Sequence, residues 1–116
     1  MAFARVCSAA EVRTDEGLAV RVDDLDVVVC RDGDDFFALQ DLCSHAEVAL
    51  SEGEVADCQV ECWLHGSRFD LRSGKPTGLP ATEPVSTFPV EARPAADGSL
   101  DIYVDITTTL NGVTPS

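Results

Sequence analysis

The sequence predicts an all-β domain that carries a loop-rich insert. Three observations predict it. Two apolar runs flank an Asp/Gly turn, several short segments alternate apolar and polar residues at period two, and Gly, Pro, Cys and His gather in one central stretch.

Each element follows in order. Residues 18–22, Leu-Ala-Val-Arg-Val, alternate and read as a strand. Val27, Val28 and Val29 lie in a short apolar run, the segment Arg31 to Asp35 is a turn, and Phe36 to Leu39 is apolar again, which is a hairpin signal. Leu100 to Val104 alternates after the turn Asp97-Gly98. It is expected to pair with residues 87–91, where Pro89 points to an edge strand. Between these scaffold segments, from about Cys43 to Pro84, stand both histidines, three of the five cysteines, the single Trp and four glycines. A single short helical turn is expected near Glu47 to Leu50, and residues 110–116 are expected to fray. The organisation expected is one domain over 1–106, with the insert at about 41–84, and a C-terminal tail over 107–116.

Composition excludes several function classes. The net charge is −13, from 21 acidic and 8 basic residues. Nucleic acid and anionic membranes both demand a positive face, so neither is an expected partner. A protein with a basic face fits better, the alternative being that acidity serves only solubility. No apolar run approaches the roughly 20 residues of a membrane helix, and Met1 to Arg5 offers no apolar stretch long enough for a signal peptide. The expectation is a cytoplasmic monomer. Five cysteines, an odd count, then read as reduced thiols or metal ligands and not as a disulfide framework. No nucleophile–base pair points to catalysis.

Two ligand pairs stand out: Cys43-Ser44-His45 and Cys62-Trp63-Leu64-His65. Each offers one thiolate and one imidazole at a spacing that a tight loop can bring to one point. Sixteen residues separate the pairs, and they contain the only two histidines of the chain. Four such ligands can hold zinc, although zinc knuckles usually pair Cys with Cys and His with His. The mixed pairs suit two metals side by side, each loop giving a Cys to one and a His to the other. Cys58, four residues before Cys62, is a further ligand candidate, though four ligands are already present. Cys7 and Cys30 read as core thiols beside apolar residues. Trp63 is expected to pack, with partner contact as the alternative.

Cys43-x-His45 with Cys62-x-x-His65-Gly66 resembles the motif of the Rieske proteins, whose [2Fe–2S] centres replace two Cys by two His on one iron. Residues 62–70 look like the second cluster loop of Rieske ferredoxins, and Gly78-Leu79-Pro80-Ala81 looks like the proline-containing loop that covers the cluster. The resemblance implies an antiparallel, sandwich-like β fold with the cluster at the tip of the loop-rich subdomain, and one [2Fe–2S] cluster per chain. It implies that Cys43 and Cys62 bind the inner iron and that His45 and His65 bind the outer one. It also implies that Ser67 donates a hydrogen bond to a bridging sulfide. The function implied is one-electron transfer from a reductase to a non-haem iron oxygenase. The alternatives are a redox accessory to iron–sulfur assembly and a zinc-bound interaction module.

The chain departs from the respiratory members of that family. Val48 and Leu64 stand where those carry a disulfide between the cluster loops, and Phe69 stands where they place a Tyr. Both departures, together with the acidity, point to the lower part of the Rieske potential range of about −150 to +300 mV.

Overall fold

A computed structural model describes residues 3–44, 48–64, 66–79 and 81–115. Its strands are β1 (Ala4–Ser8), β2 (Leu18–Val22), β3 (Leu25–Asp32), β4 (Asp35–Gln40), β5 (Val55–Ala56), β6 (Gln59–Glu61), β7 (Arg68–Asp70), β8 (Thr87–Phe88), β9 (Val90–Pro94) and β10 (Leu100–Val104). Two 3₁₀ turns, Ala9–Glu11 and Leu50–Glu52, join them. All pairings are antiparallel and form three sheets, β1-β10-β9, β2-β3-β4-β8 and β5-β6-β7.

The run at Val27 to Cys30 organises the molecule. Successive side chains of a strand point to opposite faces, and here both faces are covered, so all four residues are fully buried. Val28 and Cys30 pack with Leu39, Leu50, Val60, Phe69 and Leu71 of the insert. Val27 and Val29 face the other way, toward the β1-β10-β9 sheet, through Ile102 and Val104. The four-stranded sheet is thus the middle layer of three. Each of the three valines contributes about 1.5–3 kcal/mol by its burial.

The expected hairpin is present. β3 and β4 pair from Val27 opposite Gln40 to Asp32 opposite Asp35, which leaves a two-residue turn at Gly33-Asp34 with Gly33 at φ +61. The strand at 18–22 is also present and pairs with β3.

Three readings need correction. Residues 87–91 are not one strand. Thr87 and Phe88 pair with β4 in the middle sheet, while Val90 and Glu91 pair with Val104 and Tyr103 in another sheet. Pro89, which has no N–H to give a ladder, sits at the switch. The loop-rich insert also holds a short sheet of its own, β5, β6 and β7. The short helical turn lies at Leu50–Glu52, later than expected, and Glu47 is outside the described residues.

Residues 111–113 are anchored and not frayed, and Ser116 lies outside the described residues. Asn111 donates to the carbonyls of Ser73 and Val85, and its amide oxygen accepts from the Thr87 N–H. Ser86 Oγ donates to the Val113 carbonyl at 2.7 Å.

Candidate metal centre

The first ligand loop leaves β4 through Asp41. The Asp41 carboxylate is buried and accepts from the Ser51 N–H at 2.7 Å and from Ser51 Oγ at 2.6 Å. That pair fixes the two ends of the loop to each other. The Cys43 N–H then donates to the Val48 carbonyl at 2.9 Å, which closes the loop on itself.

The second loop is the connection of the β6-β7 hairpin, whose last cross-strand pair is Glu61 opposite Arg68. Two backbone bonds shape it, Cys62 N–H to the Ser67 carbonyl at 2.6 Å and Gly66 N–H to the Cys62 carbonyl at 2.9 Å. Gly66 has φ +76 with open space where a Cβ would stand, so glycine is required there by conformation and not by crowding.

These loops bring Cys43 and Cys62 into one apolar cluster with Leu50, Val60, Phe69 and Ala81. Both thiols are buried, at 2% and 0% exposure. Their partners by sequence, His45 and His65, lie outside the described residues, as does Pro80 of the covering segment. Ser67 is fully buried, and its Oγ accepts the Ala81 N–H at 3.0 Å, tying the covering segment to the second loop. Beside Cys43, the buried Oγ of Ser44 has no hydrogen-bond partner. Two soft sulfur donors in a dry pocket, with an orphaned hydroxyl next to them, fit an iron–sulfur cluster: thiolates are its ligands and its sulfurs are hydrogen-bond acceptors.

Contacts that the sequence did not signal hold the two loops against each other. A Cβ on Gly53 would fall 1.6 Å from the Glu61 carbonyl oxygen, so only glycine lets the first loop lie this close to β6. The Glu61 N–H donates to the Glu54 carbonyl at 2.8 Å. Trp63 Nε1–H donates to Glu52 Oε2 at 3.0 Å. Trp63 packs only in part. It stands 50% exposed, because its N–H finds its partner at the surface. Val48 packs against the core, and no disulfide joins the loops.

The other cysteines behave differently. Burial, with Asp41 adding to it, pushes the Cys30 thiol up to about 12. Burial, with Glu11 adding, pushes Cys7 up to about 11. Both remain protonated at neutral pH, which suits packing and not metal binding. Cys58 follows Asp57 in the β5-β6 turn, both at positive φ, and packs at the edge of the core. Its thiol is also raised, chiefly by desolvation, while Arg72 opposes.

Comparison with known proteins adds to this geometry. The family profile of the Rieske [2Fe-2S] domain matches residues 2–89. The ferredoxin component of biphenyl 2,3-dioxygenase from Rhodococcus jostii (strain RHA1) is 41% identical over 108 residues, which cover 93% of this chain and 100% of that protein. The ferredoxin of carbazole 1,9a-dioxygenase from Nocardioides aromaticivorans IC177 superposes with a TM-score of 0.77 at 35% identity, over 100% of both chains. A ferredoxin solved in complex with the oxygenase of carbazole 1,9a-dioxygenase superposes with a TM-score of 0.75 at 34% identity, over 88% of this chain and 91% of that one.

Proposed function

Because this chain belongs to the Rieske [2Fe–2S] domain family and carries one [2Fe–2S] cluster, we propose that Cys43, His45, Cys62 and His65 hold that cluster and that the protein ferries single electrons from a reductase to a terminal oxygenase. The observation that carries this reading is the meeting of Cys43 and Cys62 in one buried cluster, each at the root of a loop closed by its own backbone. When bound, the cluster supplies a site that gains and loses one electron.

The chain supplies the rest. Cys43 and Cys62 are the buried thiolate ligands in this reading, and His45 and His65 the imidazole ligands. Neutral imidazoles leave the oxidised site near zero net charge, where four thiolates would leave it at about −2, so an added electron meets less repulsion. The buried apolar surroundings of Cys43 and Cys62 exclude water. Ser67, whose Oγ accepts the Ala81 N–H, is the proposed hydroxyl donor to the cluster. The protein is a carrier and not a catalyst. Its partner is expected to dock through a basic face, and the carrier acts as a monomer in a reducing, cytoplasmic setting.

Visible spectra of single variants test the ligand set. Cys43→Ser, Cys62→Ser, His45→Ala and His65→Ala should each lose or grossly alter the iron–sulfur absorption, while Cys58→Ser should keep it. A Cys58→Ser variant that loses the cluster, or a His65→Ala variant indistinguishable from the parent, would overturn the assignment.

A further inference from the structure

The second cluster loop carries one buried hydroxyl, that of Ser67, and the structure places another in the first loop. Ser44 directly follows Cys43, and its Oγ is out of contact with solvent and without a hydrogen-bond partner. Folded chains rarely leave a buried hydroxyl unpaired, and where one occurs the usual reason is a group that belongs at the site. The adjacent Cys43 N–H does not serve the Ser44 Oγ as a donor, because it is given to the Val48 carbonyl. Among the described residues, Leu50, Val60, Phe69 and Ala81 cluster with Cys43, together with the sulfur of Cys62. Sulfur bearing negative charge is the acceptor that cluster binding brings to this place.

We propose that Ser44 donates its O–H to a sulfur on the Cys43 side of the bound cluster, so that each loop gives one hydroxyl to the centre. The inference rests on the cluster reading above. Its role is electrostatic positioning: the reduced site carries one more negative charge than the oxidised one, and a fixed donor favours it. Nothing is transferred from Ser44 itself.

The test is voltammetry on the cluster-loaded protein, with cluster content first checked by visible spectrum and iron analysis. Ser44→Ala should lower the equilibrium tendency to be reduced by about three- to tenfold, or about 30–60 mV at 59 mV per tenfold for one electron. Ser44→Thr, which keeps the hydroxyl, should stay near the parent, and Ser44→Val, its near-isostere, should fall with Ala. Pulsed EPR of the reduced protein in heavy water should show one fewer exchangeable proton coupled to the iron in Ala and Val than in the parent. Cluster loss confined to Ala and Val would support the donor as well. Equal potentials in Thr and Val variants with intact clusters would overturn it, and a parent protein that holds no cluster would instead overturn the reading beneath it.

Discussion

Ser67 shows how much one side chain's surroundings decide. Next to a ligand loop, a serine could as easily be a solvated turn residue. The structure buries it completely and gives its oxygen the Ala81 N–H; the proposal assigns its proton to the centre. A hydrogen bond to a charged acceptor is worth about 1.5–3 kcal/mol, and only the part that changes on reduction counts, roughly 1 kcal/mol. Ser67→Ala should therefore lower the potential by roughly 40 mV with the cluster retained. Voltammetry that gave an unchanged or higher potential would return Ser67 to a purely structural part.

Cys30 makes a different residue-scale prediction. Its folded thiol is held at about 12 by burial, above the ordinary value of 9.0. Below about 9 both folded and unfolded chains keep the proton, and the stabilisation is whole. As pH rises toward 12, the unfolded chain gives up its proton first, so stability falls, by at most about 1.4 kcal/mol per pH unit. Denaturant unfolding at pH 8 and pH 10 should show a smaller decline for Cys30→Val than for the parent. Parallel declines would mean that Cys30 contributes nothing to alkaline sensitivity. The core assignments of Cys7 and Cys30 were legible from their apolar neighbours. The place of Trp63 was not, because nothing in local sequence announces that Glu52, eleven residues earlier, will take its N–H.

At the scale of elements, strands with clear alternation or long apolar runs were readable, and the short ones were not. β2, β3 and β4 span five to eight residues, enough for a period to register. β5, β6 and β7 span two or three residues, and their pairing comes from the loops they bracket. Pro89 correctly marked an edge effect but hid the change of sheet. Asn111 anchors the last segment through bonds to residues 24 to 38 positions away, which no local pattern encodes. The closest inter-element approach also makes the sharpest prediction. Gly53→Ala drives a methyl into the Glu61 carbonyl, forcing the first loop away from β6. It should cost more than about 2 kcal/mol and accelerate cluster release. Gly98→Ala, at φ +87 in open space, should cost less and leave cluster release unchanged. Equal release rates in the two variants would mean that the Gly53 contact does not hold the loops together.

At the scale of the whole molecule, charge is the dominant feature. All seven arginines lie within 4 Å of a carboxylate, from Arg5 with Asp101 to Arg93 with Glu91. Such exposed pairs are worth about 0–1 kcal/mol each and do little for stability. Their larger consequence is that the positive charge is spent locally, and the −13 balance acts outward as a negative field. Under the proposed function that field is what would steer encounters with a basic partner, and it opposes an added electron. Stopped-flow oxidation of the reduced protein by a small basic haem protein should slow steeply as salt rises from about 0.01 to 0.15 M, as the screening length shortens from about 30 to 8 Å. Flat rates would mean that the acidity serves solubility alone. The resemblance in the Cys/His pairs carried the family from sequence; the pairings of Arg5 with Asp101 and of Arg72 with Asp35, distant in the chain, required the fold.

The measurement that bears most directly on the central claim is native mass spectrometry of the purified, anaerobically reconstituted protein. The account predicts a single added mass per chain equal to two irons and two inorganic sulfides. An added mass of one zinc, or a chain that takes up no iron and sulfide under those conditions, would contradict it.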